Sequence, residues 1–158
     1  MKLKYLLLII CIFGNSVLNA QNSFQKLFDK YENEDDVTIV SISKAMINMI
    51  PGTNITGKFN IGNIIQKMES LLIISSSDEN IKKKMNVDFK ALIDKDKDYE
   101  ELIKVREGKS SITINTKKKG NTIKELIMLV NEEEDFVAIQ ILGNFTVEDI
   151  QNLAIKIK

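Results

Sequence analysis

Apolar residues change their spacing several times along this chain, and each change marks an element. Phe24, Leu27, Phe28 and Tyr31 recur at helical intervals behind a possible cap, Ser23, which predicts an amphipathic helix from Ser23 to about Asn33. Val37 to Ile42 is apolar and rich in β-branched residues, as a buried strand is. Ser43 can cap a short helix through Ile50, and Pro51-Gly52 stops it. Residues 51–60 read as a loop, 61–69 as a helix with Ile64, Ile65 and Met68 inward, and Leu71 to Ser75 as a second strand. A strand, a helical crossover and a strand predict a βαβ unit with parallel pairing. Ser77, Asp78 and Glu79 then open a longer helix whose stripe is Ile81, Met85, Phe89, Leu92 and Ile93.

The rest is strand-rich. Tyr99 to Glu107, Ser110 to Lys117, Thr122 to Asn131 and Phe136 to Leu142 are separated by short polar turns, the pattern of an antiparallel meander. Thr146 and Asp149 form a capping box, ahead of a last stripe of Val147, Ile150, Leu153, Ala154 and Ile157. The expected architecture is α+β, a single domain over residues 21–158. Its sheet is mixed, mostly antiparallel and of about six strands, with helices mainly on one face.

Alternation separates the strands further. Between 110 and 117 only Ile112 and Ile114 are apolar, so one face is wet. Between 122 and 131 both faces are apolar, with Ile123, Ile127 and Leu129 on one and Leu126, Met128 and Val130 on the other. Two-faced strands are normally covered on both sides. Either the first or last helix covers Leu126, Met128 and Val130, or these residues form an interaction face.

The opening residues depart from all of this. Lys2 and Lys4 precede an apolar run from Tyr5 to Phe13, and Ala20 offers a cleavage position. That is a secretory signal peptide over residues 1–20, with a run too short to span a membrane. Ile10 is bulky for the residue before a lipidated cysteine, which argues against lipid attachment at Cys11. Cleavage before Gln21 would remove Lys2, Lys4 and the sole Cys and no acid, leaving 20 basic and 22 acidic residues. The mature chain would then lie in the periplasm, outside the cell or in association with the outer membrane. It would have no disulfide and no transmembrane segment.

Composition removes chemistry more readily than it supplies it. There is no His, so the usual general base, metal ligand and partner of a nucleophilic Ser are all missing. Asp94, Asp96 and Asp98 resemble the start of a calcium loop, but Tyr99 stands where Gly is needed and Val105 where the bidentate Glu belongs. Ser75-Ser76-Ser77 has no flanking Gly to form a nucleophile elbow. The basic runs Lys82-Lys83-Lys84 and Lys117-Lys118-Lys119 are flanked by acids and read as solvated charge. The balanced charge argues against nucleic acid as a partner. No catalytic residue, cofactor or metal ligand is expected.

Several core segments together carry a resemblance. They are Phe28-x-x-Tyr31, Val37-Thr38-x-Val40-x-Ile42-Ser43-Lys44-x-Met46, Leu71-x-Ile73-Ile74-Ser75, the run Tyr99 to Glu107, Ile123-Lys124-Glu125-Leu126 and Leu142-Gly143-Asn144-Phe145. The chain resembles a family of small secreted proteins of Gram-negative bacteria known as domain of unknown function 4252. The resemblance implies export and the same fold, and it brings no activity, cofactor or site residue. The leading expectation is a non-catalytic binding or envelope-associated module whose partner is an unknown protein or ligand of the cell envelope. An enzyme using carboxylate, Lys or Ser chemistry is the first alternative. A protein that meets anions or membrane surfaces through its lysine clusters is the second.

Overall fold

The computed structural model describes residues 23–49 and 61–154, with side chains described for 23–49 and 64–150. The signal segment, the 51–60 loop and Ile157 lie outside the described residues. Among the described residues, five helices and six strands follow in the order α1 (Ser23–Tyr31), β1 (Thr38–Ser43), α2 (Lys44–Met49), α3 (Ile61–Lys67), β2 (Met68–Ser76), α4 (Glu79–Lys95), β3 (Tyr99–Glu107), β4 (Ser110–Lys119), β5 (Thr122–Asn131), β6 (Phe136–Phe145) and α5 (Val147–Ala154). The strands form one sheet in the order β1-β2-β6-β5-β4-β3, and every neighbouring pair is antiparallel.

The expected parallel βαβ unit is therefore corrected. Ser43 ends β1 opposite Ser70 near the start of β2, so the chain leaves and re-enters the sheet at the same end. A crossover must carry the chain back along the strand. The 24 residues between the strands are enough for a crossover, but they bring the chain back at the end where it left, and β1 and β2 pair directly as antiparallel neighbours.

The meander is local and follows its turn chemistry. Two-residue loops, Gly108-Lys109 and Gly120-Asn121, join β3 to β4 and β4 to β5. In each, the Gly takes a positive φ, 58° and 61°, at the first loop position. That is the pattern of a type II′ connection, whose twist matches that of the strands.

Helices α1 and α4 lie on one face. Asp78 caps α4, its Oδ1 accepting from the backbone N–H groups of Asn80 at 3.0 Å and Ile81 at 2.9 Å. The expected stripe then points inward. Met85 and Phe89 are fully buried, and Ile81, Leu92 and Ile93 pack around them. Phe89 stands between Phe24 of α1 and Phe136 of β6, with ring centroids 5.0 and 6.0 Å away. Leu72, Ile74, Ile127, Leu129 and Ala138 complete this main core from the sheet.

A second, smaller core lies on the opposite face at one end. It joins Ile123, Leu126 and Phe145 to Ile150 of α5, with Ile64, Met68, Ile114 and Ile141 at its margin. Here alternation misplaces one residue. Ile123 is expected beside Ile127 and Leu129, but it is buried with Leu126 instead. Lys117 pairs with Glu125 and Lys118 with Ile123, so Lys124 is an extra residue, and this bulge turns Ile123 to the other face. The capping box forms as expected. The Thr146 N–H donates to Asp149 at 2.7 Å, and the Asp149 N–H donates to Thr146 Oγ1 at 3.1 Å. Val147, assigned to the stripe, is instead 46% exposed.

Candidate functional site

The two sheet faces differ sharply in cover. In β2 and β6, residues facing α4 are buried, and each residue between them is only half-buried. The registers align those half-buried positions into rows. Val40, Ile73, Ile139, Met128, Ile114 and Ile103 form one apolar row across all six strands. Thr38, Ser75, Val137, Val130, Ile112 and Val105 form the next. Val40 and Val105, on the edge strands, are 40% and 51% exposed.

The three residues of the expected interaction face separate here. Leu126 is buried beneath the second core, so the last helix covers it. Met128 and Val130 lie outside that core and remain half-buried. The first helix packs on the far side of the sheet, against α4.

A groove of 430 Å³ opens on the α4 face. Helix α4 packs mainly on β2, β6 and β5, and a groove remains between it and part of β4 and β3. There the wet face of β4 becomes a floor of Ser111, Thr113 and Asn115, extended by Leu129 and Asn131 of β5. Lys104, Arg106 and Glu101 of β3 form one wall, Lys90, Ile93 and Asp94 of α4 the other, and Lys109 one end. The sequence reading recognises this wet face but does not see it as a site. The signal was the alternation of Ser, Thr and Asn along β4.

Buried polar groups gather near Tyr99. Glu125 is 7% exposed and accepts a hydrogen bond from Gln140 Nε2 at 2.5 Å. Burial and the neighbouring Glu125 carboxylate push the Tyr99 hydroxyl well above its ordinary value. The 430 Å³ groove does not reach Glu125.

Other sequence candidates take structural roles. Ser76 Oγ donates to the Asp36 carbonyl at 2.7 Å and accepts from the Asp78 N–H at 3.2 Å. Asp96 accepts from Lys117 at 2.6 Å and from the Asp98 N–H at 3.0 Å. Bonded to Lys117 and to that N–H, its carboxyl is held below the usual range. Among the described residues no group of three or more acidic side chains is arranged to hold a metal ion.

The solvated reading of the lysine runs is corrected at two positions. Lys82 is 7% exposed and donates to the Glu133 carbonyl at 2.6 Å. Lys117 lies within β4, held to Asp96, while Lys118 pairs with Glu100 at 2.5 Å. No described helix is long and apolar enough to cross a membrane.

The model of one family matches residues 31–153. The chain belongs to the family described as a domain of unknown function (DUF4252). The DUF4252 match takes in the whole sheet, α4, the groove and the half-covered apolar face, and begins at the last residue of α1. No curated protein and no solved structure matches the chain.

Proposed function

We propose that this protein is an exported, non-catalytic binding module that associates through the apolar back face of its sheet. Its occupant there is a second copy of the chain. The observation that carries this reading is the row from Val40 to Ile103, apolar on all six strands and only half-buried in its middle. The largest apolar patch of a protein surface, typically a few hundred Å², is often a functional one. With strands about 4.8 Å apart and two unshielded rows about 6.7 Å apart, the flat area is about 400 Å² per copy. Two copies would together bury about 800 Å², the size of a weak, transient interface. A row that is apolar throughout is complementary to itself under a two-fold axis, and sheets stack face to face readily.

Export is supported by the two lysines and the apolar run at the start of the chain. The absence of His and the structural bonds of Ser76 support a non-catalytic reading.

Sedimentation velocity on residues 21–158 tests the association. The expected result is a dimer at tens of micromolar, a concentration range on the order of the affinity such an area allows. Met128→Lys should yield a folded monomer with unchanged far-UV circular dichroism. A wild-type chain that stays monomeric to ~100 µM overturns the association. N-terminal sequencing of protein from envelope fractions checks export. A start near Gln21 supports it, and retention of Met1 in the cytoplasm overturns it.

A further inference from the structure

We propose that the groove between α4 and the β3–β4 hairpin binds an acidic sugar, a sugar ring carrying a carboxylate or phosphate. Three observations point there independently of the apolar face.

The first is charge. Lys90, Lys104, Arg106 and Lys109 face the groove against Asp94 and Glu101, a surplus of two positive charges. The chain after residue 20 carries more acid than base, so the surplus is local. Lys104 is tied to Glu101 at 3.1 Å and Lys109 to Glu133 at 2.9 Å. Arg106, the sole arginine among 22 basic residues, has no ion pair among the described residues. A guanidinium presents paired donors that fit a carboxylate or phosphate, which an ammonium cannot do.

The second is the floor. Asn115 is 5% exposed and lines the groove, so what its side chain exposes is turned to the groove. Ser111 and Thr113 stand beside it on the same face, opposite Arg106 and Lys104 respectively. Hydroxyls and amides in alternation donate and accept together, which suits a ring of hydroxyls rather than a bare ion.

The third is continuity. Lys109 and Asn131 also border an adjoining hollow of 390 Å³, lined by Asn86, whose buried Oδ1 has no partner among the described residues. An unpartnered amide oxygen thus lies beyond the Lys109 end of the groove. A volume of 430 Å³ lies within the ordinary range for small-molecule sites and admits one or two sugar rings.

The test is titration of residues 21–158 by amide NMR and calorimetry with four probes: glucuronate, glucose 6-phosphate, glucose and inorganic phosphate. Glucuronate or glucose 6-phosphate should move the resonances of residues 104–115 and of Asn131, and which one binds tighter identifies the anionic group. Glucose and inorganic phosphate should each bind about tenfold more weakly or worse, since each lacks half of the recognition. Arg106→Met should weaken the acidic sugars about tenfold, and Arg106→Lys should recover only part of the loss. Thr113→Val, at a half-buried position, should weaken the sugars and leave inorganic phosphate unaffected. No shift with any probe at ~10 mM overturns the site. Inorganic phosphate binding as tightly as glucose 6-phosphate overturns the sugar and leaves a plain anion site. A monomeric wild-type chain that still binds glucuronate keeps this inference while the association proposal fails.

Discussion

Single residues fix the contacts between the short helices and the sheet. Gly143 sits where a Cβ would come within 2.5 Å of the Lys67 carbonyl and 2.4 Å of the Phe145 ring. The sequence pattern ends β6 at Leu142 because Gly143 and Asn144 are poor strand formers. In the structure the Gly continues the strand so that α3 can approach it. Gly143→Ala should destabilise the fold by about 1–3 kcal/mol through overpacking against backbone that cannot yield, read as a lower urea midpoint with unchanged slope. Asp149 is the opposite kind of case, legible from its spacing to Thr146. What spacing could not show is that the same carboxylate accepts from Lys67 Nζ at 2.8 and 2.6 Å, tying α5 to α3. Thr146→Ala should cost about 1 kcal/mol as a lost cap.

At the scale of elements, local patterns succeeded and long-range pairing did not. The four strands of the meander were legible because each is bounded by turn residues and joined to its sequence neighbour. The β1–β2 pair was misread, since nothing in 24 intervening residues distinguishes a crossover from a return. The face of Ile123 was misread because alternation carries a residue to the wrong side once a bulge intervenes. The floor of the groove was visible as a wet strand, but its walls come from β3 and α4, which only the fold brings together. The bulge makes a distinctive energetic prediction. Ile123→Ala should cost about 2–5 kcal/mol, the loss expected of a fully enclosed aliphatic side chain. In double-mutant cycles it should couple to Leu126→Ala by at least about 0.5 kcal/mol. With Ile127→Ala, on the far face, it should be additive. Strict alternation predicts the reverse.

For the molecule as a whole, three ionised carboxylates hold helices in place. Asp88 of α4 accepts from Lys30 Nζ at 2.5 Å and from the Tyr31 hydroxyl at 2.6 Å, binding α1 to α4. Burial acts to raise its carboxyl, but those two bonds outweigh it and hold Asp88 below the usual range. Asp96, bonded to Lys117, fastens the end of α4 to β4 and is likewise lowered. Asp149 is lowered by its bonds to Lys67 and to the Thr146 N–H. A carboxyl lowered on folding stabilises the native state above its unfolded value, about 3.9 for Asp. That contribution fades as pH falls through the folded value. With no His in the chain, no imidazole titrates near neutrality. Stability should therefore stay nearly flat from about pH 7 to pH 5 and fall below about pH 4 as these aspartates protonate. Urea unfolding across pH checks this. Asp149→Asn should lower stability at pH 7 and flatten the acid limb, because the variant has one fewer carboxylate to protonate. A decline beginning near pH 6.5 would point to a group other than these three, since all of them are ionised well above their folded values there.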